Sequence, residues 1–96
     1  MEPMGIRIKI TTHCRQRTQE RDIDIKDIEK VINGPLETIY DKERQNYKSF
    51  GKSKNPLIKE QPYLVLIHSK INSSVTIITA MWADKGGLKA IGFSKF

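Results

Sequence analysis

Residues 63–82 read YLVLIHSKINSSVTIITAMW. Tyr63 to His68 and Val75 to Trp82 are dense in Val, Ile, Leu and Thr, residue types that fit a pleated, half-buried surface, and Asn72-Ser73-Ser74 between them reads as a hairpin loop. These two strands form the centre of the predicted sheet. Upstream, Lys52 to Gln61 carries Lys52, Lys54, Pro56 and Lys59 and reads as an exposed basic loop. Before it, Leu36 to Asp41 and Gln45 to about Gly51 read as two further strands separated by a charged turn at Asp41 to Arg44.

Two helices precede these strands. Asp24 is a natural N-cap, Asp27 stands at the third helical position near the positive end of the dipole, and Ile23 is placed to staple onto Ile28. Ile25, Ile28, Val31 and Ile32 follow the spacing of a buried stripe, and Asn33-Gly34-Pro35 predicts a left-handed cap followed by a residue that cannot continue the helix. The first helix, His13 to about Arg21 with an N-cap hydroxyl from Thr11-Thr12, is far more polar. Its apolar stripe is only Cys14 and the methyl of Thr18, so what its cations touch explains it better than burial does. Ile6, Ile8 and Ile10 alternate with Arg7 and Lys9, the period-two pattern of a strand. The stretch after Trp82, with Gly86-Gly87 and Gly92, reads as an irregular tail or a short added strand. The expected architecture is one α+β domain over residues 1–96, with a core at about 6–82 and a tail at 83–96. Two N-terminal helices would pack on a curved, mainly antiparallel sheet of four to five strands.

With 96 residues and a formal charge of +6, the chain is too short for a large interior cofactor cavity, no cofactor is expected, and its basicity favours an anionic partner. Charge that merely keeps the protein soluble is the alternative. Cys14 is the only cysteine, which excludes an intrachain disulfide and a thiolate-rich metal site and suits a reducing compartment. No apolar run reaches the length of a membrane span, and Met1 to Gly5 lacks the apolar core of a signal peptide, so a cytoplasmic location is expected.

His13, Arg17 and Arg21 recur every four residues, which keeps them within an arc of about 80° on one helical face. Two planar guanidiniums beside an imidazole suit a phosphodiester: the arginines bind nonbridging oxygens in pairs, and histidine exchanges a proton near neutral pH without a metal. A solvated face whose arginines pair with Glu20 and the acids of the second helix is the competing reading. His68, alone at a strand end, reads as structural. Tyr47, between Arg44 and Lys48, fits base stacking and core filling equally; Tyr63 and Trp82 read as packing.

The pattern His13-x-x-x-Arg17-x-x-x-Arg21, then Ile23-Asp24 opening a helix that ends at Asn33-Gly34-Pro35, resembles domain-of-unknown-function family 4258, with weaker matches around Tyr47 and Gly51 and in the closing hairpin. The resemblance runs from about Ile10 to Trp82. It implies a fold similar to the RelE- and BrnT-like toxins and the wider barnase-like ribonucleases, and hence a metal-independent endoribonuclease with His13, Arg17 and Arg21 as its catalytic group. In that reading Arg15, Arg44, Lys48, Lys52 and Lys54 guide RNA, Tyr47 stacks a base, and an acidic antitoxin or the ribosome is the protein partner. A noncatalytic nucleic-acid binding module and a protein-interaction module are the alternatives. Two residues depart from the family pattern: Asp22 stands where the family usually has Gly, with the option of pairing Arg21, and Cys14 replaces a common Ala. Exposed β edges allow a dimer without requiring one.

Overall fold

A computed structural model describes residues 7–96; the expected contribution of Ile6 to the first strand, and the reading of Met1 to Gly5, lie outside the described residues. The chain runs β1 (Arg7–Ile10), α1 (Thr12–Glu20), α2 (Ile25–Asn33), β2 (Glu37–Asp41), β3 (Asn46–Lys52), β4 (Tyr63–Ile71), β5 (Ser74–Ala83) and α3 (Lys85–Ile91). The five strands form one open sheet in the order β1-β5-β4-β3-β2. β2 to β5 pair antiparallel, and β1 pairs parallel with β5, Arg7 opposite Ser74 and Ile10 opposite Ile77. The sheet is therefore mixed, and the β4–β5 hairpin lies inside it.

Helix starts follow local chemistry. The Thr11 hydroxyl accepts from the Cys14 amide at 3.0 Å and caps α1. Asp24 accepts from the Lys26 amide at 2.9 Å and caps α2, while Ile23 and Ile28, both buried, share one apolar cluster as a hydrophobic staple requires. The end of α2 differs from expectation. Gly34 has φ −151° and ψ 64°, so there is no left-handed cap, and its amide reaches the Lys30 carbonyl while Pro35 turns the chain away.

α1 and α2 cover one face of the sheet, burying Cys14, Ile23, Ile28 and Val31 against Leu64, Leu66, Val75, Ile77 and Ala80. α2 lies so close to β3 that a Cβ on Gly51 would meet a Val31 methyl at 2.9 Å, which leaves glycine as the residue that fits. The expected tail after Trp82 is instead a helix that packs on the opposite face. α3 carries Leu88 into a second cluster with Phe50, Val65, Ala83 and Phe93. Asp84 caps it by accepting from the Gly87 amide at 2.7 Å, and the glycine pair that suggested irregular chain sits inside its first turn.

β5 outruns its neighbour β1, so beyond Ile77 the edge of β5 away from β4 has no strand partner among the described residues. α1 takes that place. The Thr11 amide and hydroxyl donate to the Ile77 and Ile78 carbonyls, both at 3.2 Å, and the Arg21 guanidinium donates to the Ala80 carbonyl at 2.6 Å. In return the Trp82 indole donates to the Arg21 carbonyl at 2.8 Å. Asp22, the next residue, has φ 53°, the left-handed region that explains why glycine suits this position.

Candidate functional site

α1 presents two kinds of surface. Cys14 and Thr18 face the core, and burial pushes the Cys14 thiol up, with the charges of Arg15 and Arg21 acting the other way, so this cysteine is a packing residue. His13, at the second helical position, is exposed, and Arg17 follows it one turn later on the same side. The Arg17 side chain is 38% exposed, and its guanidinium pairs with Glu20 at 2.8 Å. Arg21 ends the helix, with one N–H spent on Ala80; a guanidinium has five, so the rest of the fork stays available in a fixed orientation. Asp22 forms no ion pair with Arg21 among the described residues. Beside Arg21 a groove of about 340 Å³ runs between the end of α1 and the basic loop, lined by Glu20, Leu57, Gln61, Met81 and Trp82.

The remaining residues expected to bind nucleic acid do not form one surface. Arg15 is turned about 200° from Arg17 around α1 and lines a separate groove with Gln19 and Ile25. Arg44 and Lys48 converge on Asp41 at 3.2 and 3.3 Å in the β2–β3 hairpin. There the Arg44 amide, and then the Arg44 and Lys48 side chains, hold the Asp41 carboxyl below its ordinary range against the opposing effect of burial. Tyr47 points to the opposite face of β3, toward α2. Lys52 and Lys54 are exposed at the start of the loop. The structure thus sets His13 and Arg17 on one side of α1 with Arg21 at its C-terminal cap, and leaves the other cations dispersed.

One polar constellation had no clear signal in the sequence. Thr38 Oγ1 lies 2.7 Å from Ser49 Oγ, which lies 2.8 Å from His68 Nε2, a line of groups that crosses from β2 to β3 between register partners and from β3 to β4 on the diagonal, His68 standing opposite Tyr47. Ser49 is 1% exposed and His68 8%. The Tyr47 ring stacks on His68 with centroids 5.7 Å apart and planes at 16°. Burial lowers the His68 pKa below its ordinary value, so the neutral imidazole prevails at pH 7. Its Nδ1 is buried with no hydrogen-bond partner among the described residues, an omission that costs about 1–3 kcal/mol when nothing compensates. The only hint in the sequence was two polar residues, Ser49 and His68, at inward-facing strand positions.

Among the described residues no three His, Cys, Asp or Glu side chains gather as a metal site would require, and no helix is long and apolar enough to cross a membrane. None of the curated proteins or solved structures compared with the chain is significantly similar to it. A family model, the domain of unknown function DUF4258, does match, over residues 10–82, from the last residue of β1 through Trp82 near the end of β5. The match takes in α1, the β5 edge it closes and the His68 constellation, and the chain belongs to this family.

Proposed function

We propose that this domain binds RNA along the outer face of α1 and cleaves it as a toxin-type endoribonuclease that needs no metal. The observation that carries the reading is the exposed His13 one turn from Arg17, on the same helix as an Arg21 guanidinium fixed in orientation, in a chain of net charge +6. In the proposed reaction His13 takes the proton of a ribose 2′-hydroxyl and the 2′-oxygen attacks the adjacent phosphorus. The bond to the 5′-oxygen breaks, and that oxygen is protonated from water. The products are a 2′,3′-cyclic phosphate and a 5′-hydroxyl. Arg17 and Arg21 hold the nonbridging oxygens; a positioned base is worth roughly 10²–10⁴ in rate and charge stabilisation a comparable factor. Lys52 and Lys54 guide the strand toward the groove beside Arg21. The kinship to RelE- and BrnT-like toxins belongs to this proposal, as do an acidic antitoxin and the ribosome as partners.

A second reading, RNA binding without cleavage, is favoured by one specific feature: Arg17 and Arg21 are each already engaged within the molecule, by Glu20 and by the Ala80 carbonyl. The test is incubation with a mixed RNA pool in the presence of chelator, with sequencing of cut ends. Cuts bearing cyclic phosphates, made by the wild type and lost in His13→Ala and Arg17→Ala, support the ribonuclease. Intact RNA retained with steep salt dependence moves the function to binding. RNA neither cut nor retained, with and without ribosomes, overturns both.

A further inference from the structure

We propose that the cleft at the foot of α2 is a pocket for a single unpaired nucleobase, read along its polar edge by Thr38, Ser49 and His68. The inward face of β4 runs Leu64, Leu66, His68, and only the first two positions are filled as a core demands. At the third, where α2 has ended and Pro35 has turned the chain aside, a cleft of about 230 Å³ remains open above the sheet. Its floor is the hydroxyl–imidazole line, its walls are Ile32, Pro35 and Val75, and Lys70 stands exposed at its rim. That volume lies below the usual range of about 300–1,000 Å³ for drug-sized ligands, so it offers room for one ring system and not for a folded chain. A flat ligand with apolar faces and a hydrogen-bonding edge matches apolar walls over a polar floor, and a phosphate attached to it matches Lys70.

The floor has a further property. Among the described residues nothing partners Nδ1 of His68 to hold its proton in place, and neither imidazole tautomer is locked by them. Ser49 donates to Nε2 in one tautomer and accepts from it in the other, and Thr38 reverses its role in step. The line therefore offers either a donor or an acceptor to the incoming edge, which accommodates both carbonyl and amino groups of bases. Tyr47, stacked on His68, and Tyr40, its cross-strand neighbour at 5.0 Å, continue the aromatic surface outward from the cleft.

That the base arrives on an RNA strand rests on the proposed function; the pocket itself does not. The experiment is an NMR titration of the full chain with AMP, GMP, CMP and UMP, with ribose 5-phosphate as the base-free control, following the His68 imidazole nitrogens and the Ser49 and Lys70 amides. The four nucleotides are expected to move the His68 and Ser49 signals while ribose 5-phosphate does not. Ser49→Ala and His68→Leu are each expected to weaken nucleotide binding about tenfold. If His68→Leu does not fold, Ser49→Ala and the wild-type titration decide alone. No movement at Ser49 and His68 with any nucleotide overturns the pocket, and so does equal movement with ribose 5-phosphate, which reduces it to an anion at Lys70. RNA retention by the wild type that is unaffected by Ser49→Ala, with silent mononucleotides, leaves the RNA reading standing without the pocket. Mononucleotide binding with no RNA retention keeps the pocket as a free-nucleotide site and removes the RNA reading.

Discussion

Arg21→Met separates the structural duty of Arg21 from any duty toward RNA. Methionine preserves much of the unbranched stem that packs beside Trp82 and removes the guanidinium. The Ala80 carbonyl then loses a charged donor at 2.6 Å, on the edge of β5 away from β4, where among the described residues no strand stands to replace it. A hydrogen bond to a charged group is worth about 1.5–3 kcal/mol. Arg17 supplies the internal control, because its pair with Glu20 is exposed at 38% and 48% and such pairs contribute about 0.3–0.5 kcal/mol. At about 4–8 °C per kcal/mol for a domain of this size, Arg21→Met is expected to melt at least about 4 °C below Arg17→Met. Thermal unfolding followed by circular dichroism at pH 7 measures the gap. Melting of the two variants within about 1 °C of one another would refute the argument that α1 is fastened to β5 through this bond. With the gap established, loss of RNA retention in the stable Arg17→Met is a clean test of the α1 face.

Three further outcomes follow from the packing. Gly51→Ala forces its methyl against Val31 and is expected to cost about 1–2 kcal/mol, overpacking partly offset by the gain from replacing a strand glycine, and a double-mutant cycle with Val31→Ala should remove most of that cost; strict additivity would contradict it. Asp22→Gly relieves an L-residue at φ 53° and should raise stability by roughly 0.5–1 kcal/mol, measured as the shift in urea midpoint, with no change or a loss telling against strain there. His68 binds its proton less readily in the folded chain than at its ordinary 6.5, so its contribution is complete above that pH and declines as pH falls from about 6.5 toward the lowered folded value. The carboxylates Glu37 and Asp41, also lowered, act at more acid pH. Urea melts between pH 7.5 and 5 should therefore show a fall in stability that His68→Leu flattens, and an equally steep fall in that variant would assign the effect elsewhere.

How much of this was legible depended on whether the determining contacts were local. The caps at Thr11 and Asp24, the stripe Ile25-Ile28-Val31-Ile32 and the strands flanking Asn72 are set by neighbours in sequence, and the structure has them where the residues placed them. α3 was obscured by Gly86-Gly87. Its helix is fixed by the Asp84 cap and by Leu88 meeting Phe50 and Val65 on a face that the strand pattern alone does not show to be covered. The parallel β1–β5 pair joins segments more than sixty residues apart, and no local motif announces it. At the site, helical spacing did place His13, Arg17 and Arg21 on one helix. Their separate fates were set by partners, Glu20 one turn away and Ala80 across the fold, and only the first was visible in the sequence. His68 read as an isolated strand-end histidine because its partners Ser49 and Thr38 come from other strands.

The way α1 closes the β5 edge also sets an order of events during synthesis. Although α1 occupies residues 12–20, its fastenings to Ile77, Ile78, Ala80 and Trp82 are made by the last strand. Contacts of such long sequence separation form slowly, and on a ribosome they cannot form before the distant partner has emerged. The outer face of α1 therefore gains its anchored geometry only after residue 82 has cleared the exit tunnel. A nascent or prematurely terminated chain carries His13 and Arg17 without the β5 anchor, a built-in delay between translation of the cationic helix and its fastening to the sheet.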